Sequence, residues 1–96
     1  MGKAFIISSY LESPQPDRLA EYADLAREAI EGNGGRFIVR GLPTHIYEDG
    51  RHERTIVIEF SSVEQAMAAY ESPAYQAARE LLGTISRDVR IVEQAD

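Results

Sequence analysis

The chain has 96 residues, 44% hydrophobic and 27% charged, the proportions of an ordinary folded protein rather than a disordered tail, and this length predicts one domain, residues 1–96, with a thin core. Sixteen acidic against ten basic residues leave a net charge of −6, which repels phosphate backbones and anionic lipid heads and argues against nucleic acid and membrane as partners. The absence of cysteine excludes disulfides, thiolate nucleophiles, iron–sulfur clusters and Cys-ligated zinc, and the longest apolar run, Ala4 to Ile7, is too short for a membrane span or a leader core, so a cytoplasmic location is expected.

In chain order, Lys3 to Tyr10 reads as a strand whose centre, Phe5-Ile6-Ile7, is apolar on both faces of the pleat. Ser13-Pro14-Gln15-Pro16 breaks the chain. From Asp17 to Glu31 the period is helical, with Leu19, Tyr22, Ala23, Ala26, Ala29 and Ile30 in one stripe, and Gly32-Asn33-Gly34-Gly35 stops the helix. Arg36 to Gly41 predicts a second strand, bulged or kinked at Leu42-Pro43, with Thr44 to Glu48 resuming an extended path. Asp49-Gly50 predicts a type I′ hairpin, returning as a strand over Arg51 to Phe60. Ser61 and Glu64 have capping-box spacing for a helix to about Glu71, and Ser72-Pro73 restarts a helix to about Leu82. Gly83 closes it before a last strand, Arg87 to Glu93.

The order β-α-β-β-α-β predicts an α+β, ferredoxin-like fold: an antiparallel sheet with the helices on one face. A sheet face left to water alternates apolar and polar residues, whereas Phe5-Ile6-Ile7, Phe37-Ile38-Val39 and Ile56-Val57-Ile58 do not alternate. The expected cover is a second copy, sheet against sheet, forming a homodimer in which two sheets pair as a dimeric α/β barrel; the alternative is a monomer with an apolar face.

Three blocks carry a family resemblance. They are Gly34-Gly35-Arg36-Phe37-Ile38-Val39-Arg40-Gly41, then Ile56-Val57-Ile58-Glu59-Phe60-Ser61-Ser62 with Ala66 and Tyr70, then Ser72-Pro73-Ala74-Tyr75-Gln76 with Arg79. Together they resemble the bacterial family known as domain of unknown function 1330. The resemblance implies the dimeric α/β-barrel superfamily, which includes cofactor-free monooxygenases, isomerases and small-ligand proteins, so the fold leaves the activity open. Members often follow the arginine with a second glycine, where this chain has Gly41-Leu42-Pro43.

If Asp49-Gly50 is a two-residue hairpin, Arg40 lies opposite Glu59 and His45 opposite Arg54. A buried guanidinium–carboxylate pair seldom adds net stability, so Arg40 is a candidate to hold a substrate carboxylate or enolate, and Glu59 to orient it or act as base. A structural cross-strand salt bridge is the alternative. His45 has the chemistry of a general base near neutral pH, and His52 reads as solvated. The helix start at Ser72 and Tyr75, with Arg79 one turn on, is a candidate site for an anion, against a plain cap and core aromatic. Tyr10, Tyr22, Tyr47 and Tyr70 read as core or interface aromatics. No phosphate loop, dinucleotide fingerprint or metal-ligand spacing appears, so no cofactor and no metal are expected. Three functions fit: a cofactor-free enzyme acting by proton transfer or oxygenase- or isomerase-type chemistry, a binder of a small anionic molecule, or a structural dimer without a pocket.

Overall fold

In the computed structural model, which describes residues 2–96, the strands are Ala4–Tyr10 (β1), Arg36–Gly41 (β2), Thr55–Phe60 (β3) and Arg87–Glu93 (β4). The helices are Pro16–Gly32 (α1), Val63–Glu71 (α2) and Pro73–Arg79 (α3), the last continued by a 3-10 turn over Glu80–Leu82. The sheet order is β2-β3-β1-β4, with every neighbouring pair antiparallel. Each helical crossover therefore skips one strand position: β3 fills the gap between β1 and β2, and β1 the gap between β3 and β4. This is the ferredoxin-like α+β arrangement that the element order predicts.

Local chemistry explains the element ends. Pro16 opens α1, where a missing N–H costs nothing, and Asp17 in the first turn favours the positive helix end. At its far end the Asn33 side-chain amide donates to Ala29 O at 2.8 Å, Gly35 N–H donates to Ile30 O at 2.9 Å, and Gly34 takes a φ of 89° that disfavours any side chain. Ser72 separates α2 from α3, its hydroxyl accepting from Tyr75 N–H at 3.2 Å and donating to Ala69 O at 2.8 Å. Alternate residues of β1 and β3 (Ala4, Ile6, Ser8 and Tyr10; Ile56, Ile58 and Phe60) are buried beneath Tyr22, Ala26, Ala29 and Ile30 of α1. Burying each large apolar side chain here contributes about 1.5–3 kcal/mol. No helix among the described residues is long and apolar enough to cross a membrane.

Three local expectations are corrected. Residues 42–54 form a loop, not a strand-turn-strand hairpin, and the tight turn is closed by Gly50 N–H on Tyr47 O at 3.0 Å with Glu48 at a φ of 54°. Pro43 has no N–H for a ladder, and Arg51 to Arg54 offers no apolar residue to hold a strand on the core. The cap of α2 is Ser62 rather than Ser61, accepting from Gln65 N–H at 3.0 Å. Two serines in a row precede Glu64 and Gln65, so the capping spacing exists in either frame.

The third correction moves a candidate pair. The β2–β3 register places Arg36 opposite Glu59, Phe37 opposite Ile58, Val39 opposite Val57 and Arg40 opposite Ile56, with Ile38 as an extra bulge residue. Arg40 does not face Glu59, and His45 does not face Arg54. One inserted residue reverses the side of every residue beyond it, so Arg40 projects toward the helices while Glu59 projects from the open face.

Candidate functional site

The helix-facing side of the sheet is organised in rungs across the strands. At the C-terminal end of β1, Tyr10 N–H donates to Arg54 O at 2.9 Å, and Tyr10 is paired with Arg87 of β4. The next rung on this face is Arg40, Ile56, Ser8 and Val89. The one after is Phe37, Ile58, Ile6 and Ile91. The face thus grades from a charged rim to an apolar floor over three rungs.

Above these rungs α1 presents Leu19, Tyr22, Ala23, Ala26 and Ile30. Small side chains at Ala23, Ala26 and Ser8 leave the layers incompletely filled. The result is a cavity of about 540 Å³, counting its opening to solvent. Tyr70 and Tyr75 complete its wall.

Polar groups converge on this cavity. The Tyr22 and Tyr75 hydroxyls share a hydrogen bond at 2.6 Å, and the Arg87 guanidinium donates to both at 3.2 Å. Arg87 also lies 5.7 Å from the ring centres of Tyr10 and of Tyr22. Arg40 stacks 4.9 Å from the Phe37 ring centre at the exposed margin. The Ser8 hydroxyl, the Tyr10 hydroxyl and Arg54 Nε are buried with no hydrogen-bond partner, although a buried polar group ordinarily has one.

The electrostatics have one sign. Three arginines line the cavity, no carboxylate, imidazole or thiol does, and none of the three arginines is paired with an acid among the described residues. Burial, reinforced by the neighbouring Tyr75, pushes the Tyr22 phenol well above its usual range. Burial also raises Tyr10, against the opposing pull of Arg87 and Arg54. Both phenols are therefore proton donors at neutral pH. Burial works against the Arg87 charge, but the oxygens of Tyr75, Tyr22 and Tyr10 outweigh it and hold Arg87 above the ordinary arginine value. A site made of donors and cations stabilises a negatively charged oxygen and has no side chain suited to accept a proton.

The sequence candidates are divided by this geometry. Arg40 and Tyr75 line the cavity. Glu59 lies on the opposite sheet face, held by Lys3 Nζ at 3.0 Å and Arg36 Nη2 at 3.2 Å. The hydrogen bonds from Lys3, then Arg36, lower its carboxyl below the usual value. His45 sits on the exposed loop with Nδ1 3.1 Å from the Thr44 hydroxyl. The Ser72 hydroxyl is occupied as the α3 cap. Arg79 donates to the Tyr70 hydroxyl at 2.8 Å and lines an outer basin that shares Tyr70, Arg87 and Val89 with the cavity. Ser8, Tyr10, Tyr22, Arg54 and Arg87 are the cavity residues that sequence reasoning missed. A signal existed for two of them: Ser8 falls between Ile6 and Tyr10, and Arg87 before Val89 and Ile91, on otherwise apolar alternating faces. Among the described residues no cluster of three His, Cys, Asp or Glu side chains is placed to hold a metal ion.

Comparison with solved structures gives the same fold at low identity. A dimeric ferredoxin-like protein of unknown function from Jannaschia sp. CCS1 superposes with a TM-score of 0.77 at 15% identity, covering 97% of this chain and 100% of that one. A protein of unknown function from Rhodopseudomonas palustris gives a TM-score of 0.72 at 16% identity, covering 99% and 84%. SnoaB, a cofactor-independent oxygenase from Streptomyces nogalater, gives 0.68 at 9% identity, covering 100% and 96%. No functionally curated protein matches the chain. A family model described as domain of unknown function (DUF1330) matches residues 3–95, nearly the whole chain and all three sequence blocks that resemble it, and the chain belongs to that family.

Proposed function

We propose that the cavity between sheet and helices is a small-molecule site that holds an anionic oxygen of a small, largely apolar ligand and supports cofactor-free chemistry of the proton-transfer, oxygenase or isomerase type. The observation that carries this reading is the convergence of Arg40, Arg54 and Arg87, with the unpartnered Ser8 and Tyr10 hydroxyls, on an apolar cavity without an acid. Donors fixed in a site of low polarity stabilise an enolate or phenolate more than the neutral carbonyl or phenol from which it forms, which makes the substrate itself more acidic. With no base in the cavity, the proton leaves to water. An isomerisation is completed when a proton returns from water to a different carbon. In an oxygenation the enolate supplies the electrons that reduce dioxygen. The oxygenase named above, similar in fold, supports the second route as chemistry that this scaffold can host.

The missing base favours a second reading, a binder that retains a small anion without turnover. Native mass spectrometry of gently purified protein, followed by transfer of the released ligand into D₂O with and without protein, separates the two. Protein-dependent deuterium uptake or oxygen consumption supports catalysis. A tightly held but unchanged ligand supports binding alone, and failure to retain or bind any small molecule overturns both.

The same reading includes a homodimer formed through the open sheet face. Phe5, Ile7, Val39, Val57 and Val92 lie on that face, away from the helices, and Val39 and Val92 are exposed in the single chain. A contiguous apolar patch of this kind marks an interface, and the similar Jannaschia protein is described as dimeric.

A further inference from the structure

Resting on that small-molecule reading, we infer that the ligand class is a single-headed anionic amphiphile, a monocarboxylate with an apolar body, bound with its head at the Arg54–Tyr10–Arg87 rung and its body along the Ile6–Ile58 floor. The gradation of the three rungs is the reason. All the unpartnered polar groups lie at the rim and middle: Tyr10 and Arg54 on the first rung, Ser8 on the second. Ser8 is 4% exposed and Tyr10 1% exposed, so neither hydroxyl is turned to bulk solvent. A carboxylate has two acceptor oxygens, and the rim has guanidinium and hydroxyl donors in surplus.

The other end makes the opposite demand. Ile6, Phe37 and Ile58 form the third rung with Ile30 of α1 above it, and no polar side chain lies on that rung. From Tyr10 to Ile6 the strand spans about 13 Å, enough for a medium-length chain or an aromatic ring behind the carboxylate. A second charge at the tail would be buried without a partner, so dianions with charges at both ends are rejected. In a protein of net charge −6, three arginines without acidic partners around one cavity are a local reversal of sign that serves an anion.

Calorimetric titration with a matched set, hexanoate, octanoate, 1-octanol and octanedioate, tests the class. Octanoate is expected to bind at least about tenfold more tightly than 1-octanol or octanedioate, because a hydrogen bond to a charged group is lost in one and a buried charge added in the other. From hexanoate to octanoate the affinity rises about fourfold per methylene buried. Arg54→Gln weakens octanoate about tenfold and leaves 1-octanol unchanged. Arg40→Gln, at an exposed position that folding tolerates, weakens octanoate in the same direction. Methyl NMR of the octanoate complex is expected to shift Ile6, Ile30 and Ile58. Equal affinity for octanol and octanoate, tighter binding of octanedioate, or shifts confined to Ile7 and Val57 on the open face each overturn the inference. If none of the probes binds but native mass spectrometry finds another small molecule in the cavity, the monocarboxylate class fails while the small-molecule site stands. If no small molecule binds at all, the reading beneath it fails too.

Discussion

The hydroxyls of Tyr22 on α1 and Tyr75 on α3 meet at 2.6 Å inside the protein, and Arg87 of β4 donates to both. This bond ties the long helix to the short one, and both tyrosines line the cavity. The two rings also meet edge to face at 6.2 Å between centres. Removing one hydroxyl leaves the other short of a buried partner. Tyr22→Phe and Tyr75→Phe are each expected to lower the unfolding free energy by about 1–2 kcal/mol in urea titrations. The double variant should lose more than the sum, since each single variant leaves Arg87 one hydroxyl to donate to and the double variant leaves it neither.

Alkaline pH tests the burial of the same groups. Tyr10 and Tyr22 have pKa values raised above 10.0 by burial, so their stabilising contribution is complete below pH 10 and is lost as pH rises above it. The melting temperature is expected to fall steeply from pH 10 upward. Tyr22→Phe flattens that fall while lowering the neutral plateau.

Glu59 contributes on the acid side. Its carboxyl is held below 4.5 by Lys3, then by Arg36, so the stability it contributes is present above pH 4.5 and is lost as pH falls through its lowered value. NMR titration of the Glu59 carboxyl should move upward in Lys3→Gln and in Arg36→Gln, and should not move in Arg40→Gln. A shift in the last variant would contradict the bulged register.

Gly35 is a steric requirement rather than a conformational one. A methyl group there would sit 2.5 Å from Ile30 Cγ2 and 2.8 Å from Phe60 Cε1, two side chains among the most buried in the protein. Gly35→Ala is expected to destabilise by about 1–3 kcal/mol in chemical denaturation, from overpacking alone.

The open face yields a prediction on assembly. Val57 is central to it, opposite Ile7 on one side and Val39 on the other. Val57→Glu adds a charge that a sheet-to-sheet dimer would bury, so light scattering should show the wild type as a dimer and the variant as a monomer with unchanged far-UV circular dichroism. A monomeric wild type would remove the interface.

Much of the fold was legible because its signals are local. Pro73 after Ser72 marks a helix restart from two adjacent residues, and Gly83 marks its end at a φ of 64°. The alternation of Arg87, Val89 and Ile91 with Asp88, Arg90 and Val92 predicts both the last strand and its two faces. Local signals also mislead when they compete. Asp49-Gly50 is a strong turn pair, yet the flanking residues lack the apolar alternation that would hold two strands together. The site was less legible, because the pairing of Arg40 with Glu59 rested on a two-residue turn where residues 42–54 form a longer loop, and because Phe37-Ile38-Val39 contains no glycine or proline to announce the bulge that turns Arg40 over.

By itself, therefore, the amino-acid sequence determined the order of elements, the amphipathic α1 and a sheet apolar on both faces, since each follows from spacing within a few residues. Only the tertiary structure decided which charges share a site. Arg40, Arg54 and Arg87 converge because β1 lies between β3 and β4 while the bulge at Ile38 turns Arg40 inward. Side chains alternate with a period of two along a strand, so one extra residue exchanges the two faces. That parity is a property of how strands pair, and it placed Arg40 over the cavity and left Glu59 on the other side of the sheet.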